Sequence, residues 1–235
     1  SMKKHQRFFP VQGANGDLTN YFIAVRNGND HGLEIVTDGN ERVLSARFSD
    51  AAFFYNQDKE TTLDEMTPGL ERLIFQEKLG TIDDKKNRLV WIAHRYESIW
   101  DLSKEDSENL IRASKICKSD LVSRMVIELP ALQGVMGKQY ALNNGEKSEV
   151  AQAILEQYLP KSAGGSIPTS FCGQLLAVAD RLDTLAGYVG LNILPSGSSD
   201  PYGLRRAAHG VLQILVSMNS TPSLRELVSM ASAAY

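Results

Sequence analysis

The stretch that decides the fold runs from Ala179 to Ala208 and reads ADRLDTLAGYVGLNILPSGSSDPYGLRRAA. Its first part predicts an apolar helix on which Asp180 and Asp183, three residues apart, lie on one face. A loop rich in Pro, Gly and Ser follows. Asp200 and Pro201 then predict the start of a second helix, because Asp is a strong N-cap and proline suits the first helical position.

Two arginines, Arg205 and Arg206, occupy the early turns of that second helix. The positive end of the helix dipole disfavours cations there, so their placement indicates a negatively charged partner. That partner is either a buried carboxylate or a phosphate, since the planar guanidinium fork fits both. The sequence leaves these two alternatives equally open.

On both sides of this stretch, apolar residues recur at helical spacing through most of 58–235, which predicts a mostly α-helical domain. Gly80 is expected to end one of its helices. Gly134 and Gly137, three apart in a predicted short helix, indicate close approach of a neighbouring element, because glycine otherwise weakens a helix. Capping signals predict helix starts at Thr67-Pro68, Thr81, Ser103, Ser148 and Thr221-Pro222.

The first 57 residues have a different pattern. Two β-rich runs, 8–11 and 18–26, flank an Asn-Gly turn and predict a β-hairpin. Residues 32–37 fit a short strand or a loop, and 40–56 predict a helix. So short a piece is small for a self-sufficient core, so it is expected to belong to a larger domain. The predicted fold class is an α+β N-terminal piece, 1–57, followed by a mostly α-helical domain, 58–235.

Composition excludes several classes of protein. The formal net charge of −3 excludes binding to nucleic acid by bulk charge, so any such contact must come from a local basic patch. No run approaches the ~20 apolar residues of a membrane span, and no signal peptide pattern is present. Cys117 and Cys172 lie far apart in apolar helical contexts, which favours buried free thiols over a disulfide or a metal pair. Ser1-Met2 is typical of a tag-cleavage scar followed by an initiator methionine.

No catalytic residue is predicted. None of the four histidines has a carboxylate or a serine at a spacing that indicates a triad, and His94 and His209 are expected to pack half-buried on helices. Residues 162–166 lack the lysine and the following Ser or Thr of a nucleotide-binding P-loop, which favours a flexible surface loop.

Six basic residues are the better functional candidates, because they can contact phosphates. The alternative is internal ion pairing with Glu128 or with the aspartates at 120, 180 and 183. The six candidates are Lys115, Lys118, Arg124, Lys138, Arg205 and Arg206.

Six segments, in order, resemble the beta subunit family of the bacterial-type, heterotetrameric glycyl-tRNA synthetases, and together they span nearly all of the chain. Residues 179–185 resemble the family's ADKLDTL-like segment, with Arg181 in place of Lys. Residues 200–208 resemble its DPFxLRRAA segment, with Tyr202 in place of Phe. The other four matches are QRFFPV at 6–11, GNERVL at 39–44, QGVMG at 133–137 and EQY at 156–158.

The resemblance implies a role in the ATP-dependent attachment of glycine to its tRNA in the cytoplasm. The family's beta subunit is longer, so this chain resembles a middle section of it. The family places ATP, magnesium and the catalytic centre on the alpha subunit. The implied partners are therefore the alpha subunit and glycine tRNA. The section itself is expected to contribute tRNA contact or scaffolding, to hold no cofactor, and to be inactive alone.

The helical domain also resembles, distantly, the HD superfamily of metal phosphohydrolases. Asp120 and Asp180 match two of that superfamily's metal-binding acids, but Ser119 stands where its paired histidine would be. Serine is a poor ligand for a divalent metal, so the site is expected to be degenerate and metal-free, with both acids structural. The alternatives are an HD-type phosphohydrolase acting on nucleotides, which would need a bound metal, and a purely structural module.

Overall fold

The structure is a computed structural model that describes residues 2, 7–162, 164–218 and 222–235. The chain forms two compact units that divide between Asp58 and Lys59. The first unit is a small α+β piece and the second is mostly helical, which confirms the predicted fold class. In the part of the chain that the structure describes, no helix is long and apolar enough to cross a membrane.

The first unit begins with the predicted β-hairpin. Strand β1, Phe8–Gln12, pairs antiparallel with β2, Leu18–Ala24, and the register is irregular between Pro10 and Gln12. The turn between the strands closes with a hydrogen bond from the Gly16 amide to the Gly13 carbonyl, 3.0 Å. Gly16 has a φ of 81°, a left-handed conformation that glycine adopts without strain.

The helix of the first unit, α1, spans Leu33–Asp58. It begins seven residues before the predicted start at position 40, so the expectation of a strand or loop at 32–37 was wrong. Gly39 lies inside this helix, where a single glycine costs only about 1 kcal/mol. The Arg42–Asp38 ion pair, 2.9 Å, spans the same segment at helical spacing.

The second unit contains nine α-helices within its described residues and one two-stranded sheet, β3 Ile74–Gln76 with β4 Gly80–Thr81. The helices are α2 Leu63–Met66, α3 Ile82–Trp100, α4 Lys104–Ile116, α5 Arg124–Glu128, α6 Val135–Asn143, α7 Ser148–Glu156, α8 Phe171–Gly190, α9 Leu204–Ser217 and α10 Leu224–Ser232. Short 3₁₀ turns cover Thr67–Arg72, Ser119–Val122 and Pro130–Leu132.

Helix α8 is the centre of the second unit, packing against α3, α4, α7, α9 and α10. Its sequence is apolar on nearly every face, which is typical of a helix buried on all sides. Leu175, Leu176 and Val178 are fully buried, together with Ile92 of α3 and other core side chains. The stretch that the sequence singled out therefore supplies the middle of the core.

Local capping sets several helix starts. The side chains and backbone amides of Thr81 and Asp84 bond reciprocally in a capping box at the start of α3, and Ser103 caps α4, as predicted. Gly80 does not end a helix; with a φ of 87° it lies in strand β4. Thr67 starts a 3₁₀ turn instead of an α-helix. The predicted cap at Thr221 lies outside the described residues.

Helix α9 begins three residues later than predicted. Its N-cap is Gly203, with a φ of 67°, and Pro201 lies in the turn before it. Asp200 still satisfies the helix start, because its carboxylate accepts the amides of Leu204, 2.8 Å, and Arg205, 3.0 Å. The prediction that the Asp200 side chain caps this helix is confirmed, and the predicted first residue of the helix is wrong.

Candidate functional site

Asp120 is fully buried and connects two elements through backbone hydrogen bonds. Its Oδ2 accepts the amides of Gly134, 2.6 Å, and Gly137, 3.0 Å, at the start of α6. A Cβ at Gly137 would lie 2.7 Å from Cγ2 of Ile154 and 3.0 Å from the Asp120 carboxylate. The expected close approach at the glycine pair is confirmed, and its partners are Asp120 and helix α7.

Burial raises the pKa of Asp120 to about 6, although the Gly134 and Gly137 amides and the charge of Lys118 act in the opposite direction. Its second oxygen, Oδ1, has no hydrogen-bond partner among the described residues. The carboxyl group therefore titrates well above the range of an exposed aspartate.

Asp180 is held by lysines from two other elements. Its Oδ1 lies 2.9 Å from Nζ of Lys118 and 3.2 Å from Nζ of Lys85, on α3. Burial alone would raise the pKa of Asp180, but the two ammonium groups outweigh it and hold that pKa below the usual range. The Lys118–Asp180 pair is one of the internal ion pairs that the sequence offered as the alternative to phosphate contact.

Asp183, one turn along α8, has a second pair of cations. Its oxygens lie 2.8 Å from Nζ of Lys85 and 2.6 Å from Nε of Arg88. Neither cation was predicted from the sequence. Lys85 stands four residues before Leu89 on the apolar stripe of α3, and a lysine on such a stripe indicates a buried ion pair.

The residues at the positions that resemble the HD metal site lie near one another, but they do not form a set of metal ligands. Ser119 Oγ lies 2.6 Å from Oγ1 of Thr67. Burial raises the pKa of the Tyr158 hydroxyl, and the charges of Asp120 and Asp180 raise it further. The ammonium group of Lys118 lies 4.6 Å from the centre of the Tyr158 ring. Within the described residues, no three His, Cys, Asp or Glu side chains could hold a metal ion.

Other candidate residues have simpler surroundings. Cys117 and Cys172 are buried free thiols, as predicted, and burial raises the pKa of each to about 12. His94 and His209 are exposed, so the expectation that they pack half-buried was wrong.

A cleft of about 550 Å³ opens beside Asp180. Three cationic residues and one acid line it, and the acid, Asp180, is already paired with two lysines. The cleft therefore carries net positive charge. Its lining residues are Ala131, Gln133, Gln157, Tyr158, Pro160, Lys161, Asp180, Arg181, Thr184, Gly203, Arg206 and Ala207.

Arg181 forms part of the cleft wall and is nearly buried. Its Nη1 donates to the carbonyls of Gln157, 2.9 Å, and Ala177, 3.0 Å, and its Nη2 donates to that of Pro160, 3.2 Å. Arg206 is exposed at the rim of the cleft. Its guanidinium group lies against Gly203, where an added Cβ atom would be 2.6 Å from Nη2. Arg181 therefore stabilises the fold, while Arg206 faces solvent.

The six basic candidates lie in different surroundings. Lys118 is buried and paired, and Nζ of Lys138 donates to Oε1 of Gln152, 2.7 Å. Lys115 and Arg124 are exposed on α4 and α5. Arg205 and Arg206 are exposed, and neither guanidinium has a carboxylate partner among the described residues. Of the six, the cleft includes Arg206 alone.

Comparison with known proteins gives a consistent result. A family model described as the glycyl-tRNA synthetase beta subunit matches residues 1–235. The glycine–tRNA ligase beta subunit of Bacillus subtilis is 46% identical over 229 residues, which cover 97% of this chain and 34% of that protein. The corresponding subunit of Desulforamulus reducens is 47% identical over 234 residues, 100% of this chain and 34% of that protein.

The chain spans about a third of the length of these curated relatives. The same holds for the Listeria monocytogenes subunit, of which the chain covers 33% at 46% identity. The match extends through both units, including the stretch 179–208 and its cleft. The chain belongs to the glycyl-tRNA synthetase beta subunit family.

Proposed function

We propose that this chain serves glycine–tRNA ligase as a tRNA-contacting and scaffolding part of the beta subunit. In this proposal ATP, magnesium and bond making belong to the alpha subunit, and the chain has no catalytic residue of its own. Family membership supports the role in glycine attachment. The observation that carries the tRNA contact is the exposed Arg205–Arg206 pair, which has no carboxylate partner among the described side chains.

The charge on α9 favours phosphate over internal pairing. Both guanidinium groups lie in the first turn of the helix, where the dipole disfavours them, and Asp200 is engaged by the backbone amides of Leu204 and Arg205. An RNA phosphate would offset both the dipole and the mutual repulsion of the arginines. Lys115, Arg124 and Lys138 extend the proposed set, whereas Lys118 belongs to the interior.

In this proposal the second unit is an HD-like domain that uses no metal. Lys85 and Lys118 place ammonium groups on Asp180, where a hydrolytic site would need a divalent cation. A metal would have to displace two buried positive charges. Elemental analysis of protein purified without chelators is expected to find no stoichiometric Mn, Fe, Zn or Ni. Stoichiometric metal, with phosphohydrolase activity lost in Asp180→Ala, would favour the phosphohydrolase alternative.

Binding of labelled glycine tRNA, followed by fluorescence anisotropy across a salt series, tests the contact. Weak binding that falls steeply with salt is expected, because each neutralised phosphate contributes a slope of about 0.7 to 0.9 in log affinity against log salt. The double variant Arg205→Ala/Arg206→Ala is expected to weaken binding and to lower that slope by about one to two.

Arg225→Ala is the matched control, since Arg225 is also an exposed arginine in the first turn of a helix, α10. Its affinity and slope are expected to equal those of the unmodified protein. Binding that does not depend on salt, or a double variant with an unchanged slope, would remove the arginine pair from the RNA surface.

A further inference from the structure

The floor of the cleft contains buried polar atoms without partners. Gln157 is fully buried and lines the cleft, and its Nε2 donates to the carbonyls of Cys117, 2.6 Å, and Ile154, 3.0 Å. These two bonds fix the orientation of the amide, so the acceptor is Oε1. That oxygen, like the hydroxyl of Tyr158, has no hydrogen-bond partner among the described residues. Buried acceptors without partners are rare, because the desolvation of an unpaired polar atom destabilises the folded state.

The rim of the cleft carries positive charge that no acid neutralises. Lys161 and Arg206 are exposed there, and the described residues give neither an ion pair. Burial lowers the pKa of the neighbouring Arg181, the charge of Asp180 acts in the opposite direction, and the charge of Arg206 lowers it further. The single acid of the lining, Asp180, already faces two ammonium groups. An anion between Lys161 and Arg206 would relieve this repulsion.

We propose that this cleft binds one phosphorylated nucleoside, with its phosphate at Arg206 and Lys161 and a donor group of the ribose or base toward Oε1 of Gln157. An anion alone would neutralise Lys161 and Arg206 but would leave Oε1 of Gln157 without a hydrogen-bond donor. The volume of about 550 Å³ is in the range of small-molecule pockets, and Tyr158 supplies an aromatic ring beside the floor. The ligand is either a free mononucleotide or one nucleotide of an RNA strand.

This inference goes beyond the proposed function, because it concerns one cleft and needs no tRNA. It involves binding only, with no bond made or broken. It also assigns different roles to Arg205 and Arg206, which act together in the proposed tRNA contact. Arg206 lines the cleft, and Arg205, which is also exposed on the same helix turn, does not.

Isothermal titration with adenosine monophosphate and the other three nucleoside monophosphates tests the proposal on the full chain. At least one is expected to bind with one-to-one stoichiometry. Adenosine and inorganic phosphate, each lacking half of the ligand, are expected to bind at least about tenfold more weakly. Arg206→Ala and Lys161→Ala are each expected to weaken binding by about tenfold, and Arg205→Ala by less than about twofold.

No mononucleotide binding at millimolar concentration would overturn the inference, as would equal affinity for inorganic phosphate. Equal losses in Arg205→Ala and Arg206→Ala would also overturn it, since they would indicate a diffuse patch. Thermal unfolding of each variant checks that the fold is kept. A short single-stranded RNA that binds more tightly than any mononucleotide, with the same dependence on Arg206, would identify the ligand as RNA. The reverse order would identify it as a free nucleotide.

Discussion

Buried carboxylates in the second unit are stabilised in two ways. Asp180 and Asp183 face ammonium and guanidinium groups, which favour the charged form. Asp120 depends on two backbone amides, and burial dominates its titration. Since a buried charge is costly without full pairing, the pKa of Asp120 is raised, whereas that of Asp180 is lowered by the ammonium groups that face it.

Asp120 therefore gives the protein a specific pH dependence. Its folded pKa of about 6 lies above the ordinary 3.8, so between these values the folded state keeps a proton that the unfolded state has lost. The contribution of this group to the free energy of unfolding is fully present below about pH 3.8. It is lost as the pH rises through about 6, and the loss is at most ~3 kcal/mol. In Asp120→Asn this loss is absent, so the variant is expected to gain stability relative to the unmodified protein between pH 4 and pH 7.

Urea unfolding at pH 4, 5, 6 and 7 measures this difference. Asp50→Asn, at an exposed aspartate of α1, is the control for the same substitution at the protein surface. A stability difference for Asp120→Asn that stays constant across the series would show that Asp120 titrates in its ordinary range.

The acids themselves could be found from the sequence, but their partners mostly could not. Asp120 and Asp180 stand out as acids in apolar segments, and a buried acid requires a partner. Which partner it takes depends on tertiary contacts: Lys85 and Asp180 are 95 residues apart. The Gln157 acceptor gives no sequence signal, because a glutamine at the end of a helix is ordinarily exposed.

At the scale of the element, local chemistry predicts helix starts better than it predicts their exact position. Thr81 and Ser103 cap helices as expected because the side chain and its amide partner are three residues apart. Gly80 and the segment 32–37 were misassigned because glycine fits several backbone conformations, and only the neighbouring elements select one. The short sheet β3–β4 gave no pattern long enough to detect.

Asp200 provides the test at this scale. Because its carboxylate accepts two amides at the start of α9, Asp200→Ala is expected to lower the free energy of unfolding by ~1 kcal/mol and the melting temperature modestly. Ser198→Ala, at an exposed residue of the same loop, should leave the melting temperature unchanged. An Asp200→Ala melting temperature equal to that of the unmodified protein would show that these two bonds do not stabilise the helix start.

At the scale of the whole molecule, charge and core are both distributed unevenly. The net charge of −3 predicts no general attraction to RNA, yet Arg205 and Arg206 lie at one helix end without a carboxylate partner among the described residues. The core is almost entirely in the second unit, where α8 is its centre. The buried residues of α1 are Leu44 and Asp58, and several large apolar side chains of the first unit are exposed, including Leu18 and Val25.

This distribution predicts different local stabilities for α1 and α3. Helix α3 buries Leu89, Ile92, Ala93 and Tyr96 along one face, whereas α1 buries one apolar side chain, that of Leu44, over 26 residues. Since helical stability in proteins comes mainly from packing, α1 is expected to open far more often than α3. In hydrogen exchange followed by mass spectrometry, amides of α1 should exchange at least about a hundredfold faster than those of α3. Equal protection of the two helices would contradict this, and would mean that α1 is stabilised by something other than burial of its own side chains.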